Sequence, residues 1–175
     1  MRYFELLNEY KDLLCVDVQL RTQLQAIPKG YVTTKKIAGK DYFYLQYSAQ
    51  GKKKSEYLRE EDAAAVRHAV ARRGPLKVQM EEVRKDQIRL ESAARILDMG
   101  LYRTFLFLKQ CAQMDALPVA KRQEALQFSG AMTALEGLSA KPETEESLQL
   151  WARGEGSYTD IYMKALVQYR IVEAM

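Results

Sequence analysis

Between Tyr31 and Leu58 the hydrophobic pattern of the chain switches from a helical period to a period of two, and it does so only once. Three short segments, Tyr31–Ile37, Asp41–Tyr47 and Lys53–Leu58, are rich in tyrosine and other strand-forming residues. Gly39-Lys40 and Gln50-Gly51 separate them, and connections this short join antiparallel neighbours. The pattern predicts a three-stranded antiparallel meander. In its middle strand Phe43, Leu45 and Tyr47 share one face, while Tyr42, Tyr44 and Gln46 share the other. One face belongs to a core and the other is aromatic and polar.

Helical periodicity surrounds this block. Residues 2–26 carry Leu6, Tyr10, Leu13, Leu20, Leu24 and Ile27 at alternating spacings of four and three, interrupted by Asp17. That narrow stripe suits a coiled-coil-like contact with another long helix, and Pro28-Lys29-Gly30 ends it. Arg59–Arg73 returns to helix, with Glu60, Glu61 and Asp62 at the positive end of the dipole and Arg72-Arg73 at the negative end. Gly74-Pro75 is read as its break. A long helix is then expected from about Leu76 to Gln113, charge-laced in its first half, more buried in its second, with Gly100 as a place for a kink. After Leu117-Pro118 come a helix from Val119 to Glu136, a short one over Glu143–Arg153, and a last one to Ala174 capped by Ser157 or Thr159.

The expected fold class is mainly α (α+β). Helix 2–26 and the long helix pair antiparallel, with the sheet and helix 59–73 at one end and a C-terminal three-helix unit at the other. Residues 1–116 and 117–175 are expected as two modules. With 47% hydrophobic and 29% charged residues the composition reads as that of a soluble, globular protein. No apolar run nears the ~20 residues that span a bilayer, and the N-terminus lacks a signal-peptide core, so a cytoplasmic protein with no membrane partner is expected. Cys15 and Cys111 lie far apart within helical apolar patterns, which fits buried free thiols. His68 is the single histidine, read as a surface or cap-proximal residue, so no histidine-based metal set is expected. No Gly-rich phosphate loop and no nucleophile context is seen; the expectation is no enzyme, no metal and no cofactor.

Charge is distributed unevenly. Lys29, Lys35, Lys36, Lys40, Lys52, Lys53, Lys54 and Arg59 face only Asp41 and Glu56 between residues 29 and 59, whereas acidic residues outnumber basic ones from Arg122 onward. A basic front and an acidic back point to different partners.

The acidic third contains Leu135-Glu136-Gly137-Leu138, then Pro142-Glu143, then Ala152-Arg153-Gly154-Glu155, then a helix with Tyr162, Ala165, Leu166 and Tyr169. In that order these pieces resemble the VbhA-type antitoxins of Fic adenylyltransferase toxins, over roughly the last third of the chain. The resemblance implies a non-catalytic inhibitor whose partner is a Fic toxin. The family's inhibitory motif, (S/T)xxxE(G/N), places its glutamate and glycine at Glu136 and Gly137; the position four earlier holds Met132, followed by Thr133. What the resemblance implies for Glu136 is a pair with the toxin arginine that holds the ATP γ-phosphate, a charge-assisted contact that keeps ATP from its productive pose. Gly137 would let the chain turn away at once. Taken alone, a Glu-Gly pair is an ordinary helix end, although a carboxylate in the last turn opposes the helix dipole. Trp151 and Tyr162 read first as core residues; exposed, they would join Leu135, Leu138 and Arg153 in binding the partner.

The basic block resembles a module of bacterial mobile-element proteins and, more loosely, the three-stranded arm-type DNA-binding domains of phage integrases. That likeness implies duplex DNA as a second partner, with Lys35, Lys36, Lys52, Lys53 and Lys54 on phosphates and Tyr42 and Tyr44 stacking or hydrogen-bonding beside them. The plain alternative is that tyrosines form strands well and lysines protect sheet edges. The leading expectation is a Fic-blocking antitoxin, the second a DNA-binding regulator or mobile-element accessory protein, and the third a coiled-coil adaptor that forms homodimers through the stripe on the first helix.

Overall fold

The computed structural model describes residues 3–135 and 140–168. Its elements run α1 (Tyr3–Ala26), β1 (Tyr31–Ile37), β2 (Lys40–Ala49), β3 (Lys52–Leu58), α2 (Glu60–Ala71), α3 (Arg73–Leu97), α4 (Met99–Asp115), α5 (Val119–Leu135), α6 (Pro142–Arg153) and α7 (Tyr158–Gln168). The architecture is mainly α with one small antiparallel sheet, an α+β arrangement. Contacts divide the chain into two units, one of residues 1–18 and 83–175 and the other of residues 19–82, the divisions falling inside α1 and α3. No described helix is long and apolar enough to cross a membrane.

The helical unit is organised on α4. Leu101, Phe105, Leu108 and Ala112 form its inner face and pack with Leu7, Tyr10 and Leu14 of α1, Ala94 of α3, and Met163 and Leu166 of α7. The buried seam of α1 is therefore Leu7, Tyr10 and Leu14, with Leu6 and Leu13 only partly covered. Tyr10 and Leu20 of the expected stripe are buried, but Leu7 and Leu14 take the central places expected for Leu6 and Leu13, because residues of α3, α4 and α7 all join this core and a broader face than a two-helix seam is buried. Tyr10 donates to Glu91 at 2.5 Å and Gln87 donates to the Leu13 carbonyl at 3.4 Å, so here α1 and α3 run in opposite directions. Lys109 also donates to Glu91, at 2.8 Å.

The long helix expected from Leu76 to Gln113 is two helices. Asp98 sits between them in an extended conformation, and its carboxylate accepts from Gly100 N at 2.6 Å and Leu101 N at 3.2 Å. An aspartate that caps a new helix satisfies amides the old helix would have used, so the break lies at Asp98 and Gly100 is inside α4. Nor do Gly74 and Pro75 break a helix. They lie in the first turn of α3, where proline costs no hydrogen bond, and the turn falls at Arg72.

A polar stitch fastens the C-terminal helices. Asp115, at the end of α4, accepts from the Ser157 hydroxyl at 3.0 Å, from Tyr158 N at 2.6 Å, and from both the amide and hydroxyl of Thr159 at 3.1 and 2.7 Å. Four donors at the start of α7 thus meet one carboxylate. Ser157 is the cap residue, its hydroxyl accepting from Asp160 N, and Thr159 is buried inside the first turn. Arg122 donates to the carbonyls of Asp115, Leu117 and Trp151 and lies over the Trp151 ring. Gly154 ends α6 with φ of 84°, a left-handed cap that glycine adopts without strain.

Cys111 is buried, and burial pushes its thiol up to about 12. Cys15 is exposed, contrary to the expectation that both thiols are buried, because the α1 seam leaves it on the outer side. His68 is exposed in the last turn of α2.

In the sheet unit the order is β1-β2-β3, antiparallel throughout. The turns are Ala38-Gly39, with φ of 49° and 81°, and Gln50-Gly51, with φ of 52° and 75°. Two consecutive left-handed residues make the two-residue hairpin turn whose twist matches the strands. The first turn is therefore one residue earlier than Gly39-Lys40, and Lys40 pairs with Ile37 as the first residue of β2. Phe43, Leu45 and Tyr47 share a face with Val32 and Thr34, and Leu45 is its buried centre. Arg67 of α2 reaches this face, donating to the Thr34 hydroxyl at 3.3 Å and lying 5.9 Å from the Phe43 ring centre. Arg73 donates to the carbonyls of Leu24 and Ile27, supplying to the end of α1 the cation its own last turn lacks.

Candidate nucleic-acid interface

Strand alternation puts twelve residues of the meander on the face opposite Leu45: Tyr31, Thr33, Lys35 and Ile37 of β1, Lys40, Tyr42, Tyr44, Gln46 and Ser48 of β2, and Lys53, Ser55 and Tyr57 of β3. Tyrosines dominate its middle. The Tyr57 ring lies 6.4 Å from Tyr42 and 5.8 Å from Tyr44, the second contact edge to face. Lys35 holds its ammonium 5.0 Å from the centre of the Tyr44 ring, a cation over the electron-rich face. Tyr31 donates to Gln46 Oε1 at 2.8 Å across the β1–β2 pair. Tyr31 and Tyr57 keep 58% and 57% of their surface in solvent.

The charges sort by face. Lys35, Lys40 and Lys53 stand on the tyrosine face, and Asp41 and Glu56, the acidic residues of the meander, both stand on the other. Lys36, Lys52 and Lys54 share that other face with them. Of the lysines proposed from sequence to flank the tyrosines, only Lys35 and Lys53 do so; Lys36, Lys52 and Lys54 do not, because a period of two sends neighbours to opposite sides. All of these lysines are exposed. The sequence reading missed Tyr57, Tyr31 and Lys40 as members of the face. Tyr57 could have been found by placing the Gln50-Gly51 turn at the centre of the hairpin, which sets Tyr57 directly across from Tyr44.

The residues proposed for partner binding lie in the helical unit. Glu136, Gly137, Leu138 and Tyr169, with the side chain of Thr133, fall outside the described residues. Met132, Leu135 and Arg153 are exposed, and Tyr162 is partly buried, its ring 4.6 Å from Phe107. Trp151 is 1% exposed and packs against Tyr158 at 5.1 Å, so it is a core residue and no docking anchor. Among the described residues no cluster of His, Cys, Asp and Glu could hold a metal ion.

Residues 5–68 are similar to a family described as a domain of unknown function, DUF6788. The matched stretch takes in most of α1, the whole sheet and most of α2. No curated protein and no solved structure matches the chain.

Proposed function

We propose that the chain binds nucleic acid through the tyrosine face of its sheet. The observation that carries the reading is the sorting of charge: one face combines Lys35, Lys40 and Lys53 with four tyrosines and no carboxylate. Edge protection accounts for lysines but not for their separation from Asp41 and Glu56, since either face would serve solubility equally. Phosphates attract a surface of one sign, and aromatic rings beside it offer stacking and hydroxyl contacts.

The test uses the two faces against each other. Binding of labelled DNA is measured by fluorescence anisotropy at increasing salt for wild type, for Lys35→Gln/Lys40→Gln/Lys53→Gln, and for Lys36→Gln/Lys52→Gln/Lys54→Gln. Both variants lose the same charge. The first should bind more weakly and with a salt slope lower by about 2–3 on duplex, and the second should change much less. Equal losses would overturn the assignment to this face, and an absence of salt-dependent binding would overturn the reading altogether.

A second reading rests on the distal half of α5. From Ala125 to Leu135 the helix carries no charged residue, and from Gln127 to Met132 and again at Leu135 its side chains are exposed. Phe128, Met132 and Leu135 follow at spacings of four and three, one uncovered apolar stripe. An exposed helix free of charge suits insertion into another protein, and it leads directly into Glu136-Gly137, the segment that resembles the Fic-antitoxin motif. Co-expression with a Fic toxin tests it: wild type should relieve growth arrest and AMP transfer, and Glu136→Gly should not. Equal protection by both would reject an inhibitory role for Glu136.

A further inference from the structure

The tyrosine face ends in a hollow. β2 and β3 continue past the start of β1: Tyr31 pairs with Gln46, whereas Tyr47, Ser48 and Ala49 are paired on the β3 side alone. Beside this step lies a cavity of about 320 Å³, bordered by Gly30, Tyr31, Gln46, Ser48, Lys53 and Ser55, with Tyr47 and Lys54 of the opposite face also contributing to its wall. Gly30 makes the close approach that shapes it. Its φ is 117°, and a Cβ there would stand 2.1 Å from the Gln46 carbonyl oxygen. Tyr31 then holds the Gln46 amide by its hydroxyl, which leaves the amide at a fixed place on the wall.

The groups around the hollow divide into the parts a nucleotide needs. Tyr31 offers a ring with more than half its surface open. Gln46 offers an amide, Ser48 and Ser55 offer hydroxyls, and Lys53 offers an exposed cation at the rim. An amide can meet an adenine edge with two hydrogen bonds, and hydroxyls accept either polarity. The volume lies at the small end of the ~300–1,000 Å³ typical of small-molecule sites, which suits one base and not a helix. A paired base has both faces covered by its neighbours and cannot enter a concave site without leaving the stack.

Resting on the nucleic-acid reading above, we infer that this cavity takes a single unpaired nucleobase, so that the chain prefers nucleic acid containing an unpaired base to a fully paired duplex. Three labelled DNA probes test it: a duplex, the same duplex with one unpaired adenine, and the single strand. Wild type should bind the second and third about tenfold more tightly than the first, the discrimination one well-made base contact supplies. Gln46→Ala should abolish that preference, lowering affinity for the second and third probes about tenfold more than for the duplex. Ser55→Leu, which adds bulk at the wall directly across from Gln46, should do the same. Equal affinity of wild type for all three probes overturns the cavity assignment and leaves the sheet-face reading standing, as does a parallel loss on every probe in both variants. Failure of all three probes to bind overturns both.

Discussion

In the helical unit Tyr10 stacks on Phe105 with ring centres 4.2 Å apart, and Trp151 is almost wholly buried. In the sheet unit Tyr31 and Tyr57 stay mostly in solvent, and Leu45 is the buried centre of the meander. Both units are rich in aromatic residues, yet the helical unit buries Tyr10, Phe105 and Trp151 and leaves Phe128 out, whereas the sheet unit fully buries none of its own and turns Tyr31 and Tyr57 out. Two carboxylates of the helical unit are engaged internally: Asp115 takes four donors from α7 and Glu91 takes Tyr10 and Lys109. The sheet unit instead leaves a row of lysines and phenols facing water. A large aromatic side chain contributes most to stability when buried, so the exposed set reads as surface kept for a partner.

The largest effect should come from the buried side of this contrast. Phe105 is 1% exposed, stacks on Tyr10, and touches the centre of the helical core. Phe105→Ala should cost about 3–5 kcal/mol through lost burial and the cavity left behind. Urea unfolding followed by circular dichroism measures it. A loss below about 1 kcal/mol would mean that this core tolerates collapse and that the two units differ less than their burial suggests.

How much of this was legible beforehand differs between the units for a physical reason. The strands and their antiparallel pairing followed from local signals, a period of two and glycine-marked turns, and only the first turn moved by one residue. Lys36, Lys52 and Lys54 fall on the face away from Tyr42 and Tyr44, a separation that follows from strand alternation and not from composition. In the helical unit the periodicity located the helices, but the break at Asp98 was missed, since an aspartate within an apolar-periodic run carries no signal until its carboxylate is seen to cap the next helix. Asp115 carries no local signal for the same reason. Its partners at 157–159 are more than forty residues away, and no local pattern announces them. Trp151 reads from its sequence first as a core residue and is one, although its neighbours Arg122 and Tyr158 meet it only in the tertiary fold.

A smaller effect should appear in alkali, through two buried groups of the helical unit. Burial, then the bond donated to Glu91 and that carboxylate's charge, push the Tyr10 phenol upward. Burial, then the charge of Asp115, push the Cys111 thiol from 9.0 to about 12. A group whose native value is raised binds its proton longer when folded than when unfolded. Its contribution is therefore complete below the unfolded value and is lost as pH rises toward the folded one. For Cys111 that window runs from 9.0 to about 12. Unfolding midpoints in urea should fall across it, and Cys111→Ala should flatten the fall. A variant with the wild-type slope would show that the thiol stays protonated in both states or that burial does not hold it.

The smallest change in stability should come from the open face, and there the two properties should part. Tyr57 makes edge contacts with Tyr42 and Tyr44 but buries little surface, so Tyr57→Ser should cost only about 0.2–1 kcal/mol. The same substitution removes the ring that links the two others, and nucleic-acid affinity should fall about tenfold, within the ~1–3 kcal/mol of one stacking contact. Phe105→Ala, measured where it remains folded, should leave affinity nearly unchanged. If instead Tyr57→Ser costs stability in proportion to Phe105→Ala and affinity follows stability in both, the outward tyrosines are serving the fold. The contrast between an inward and an outward aromatic set would then be one of degree of burial alone.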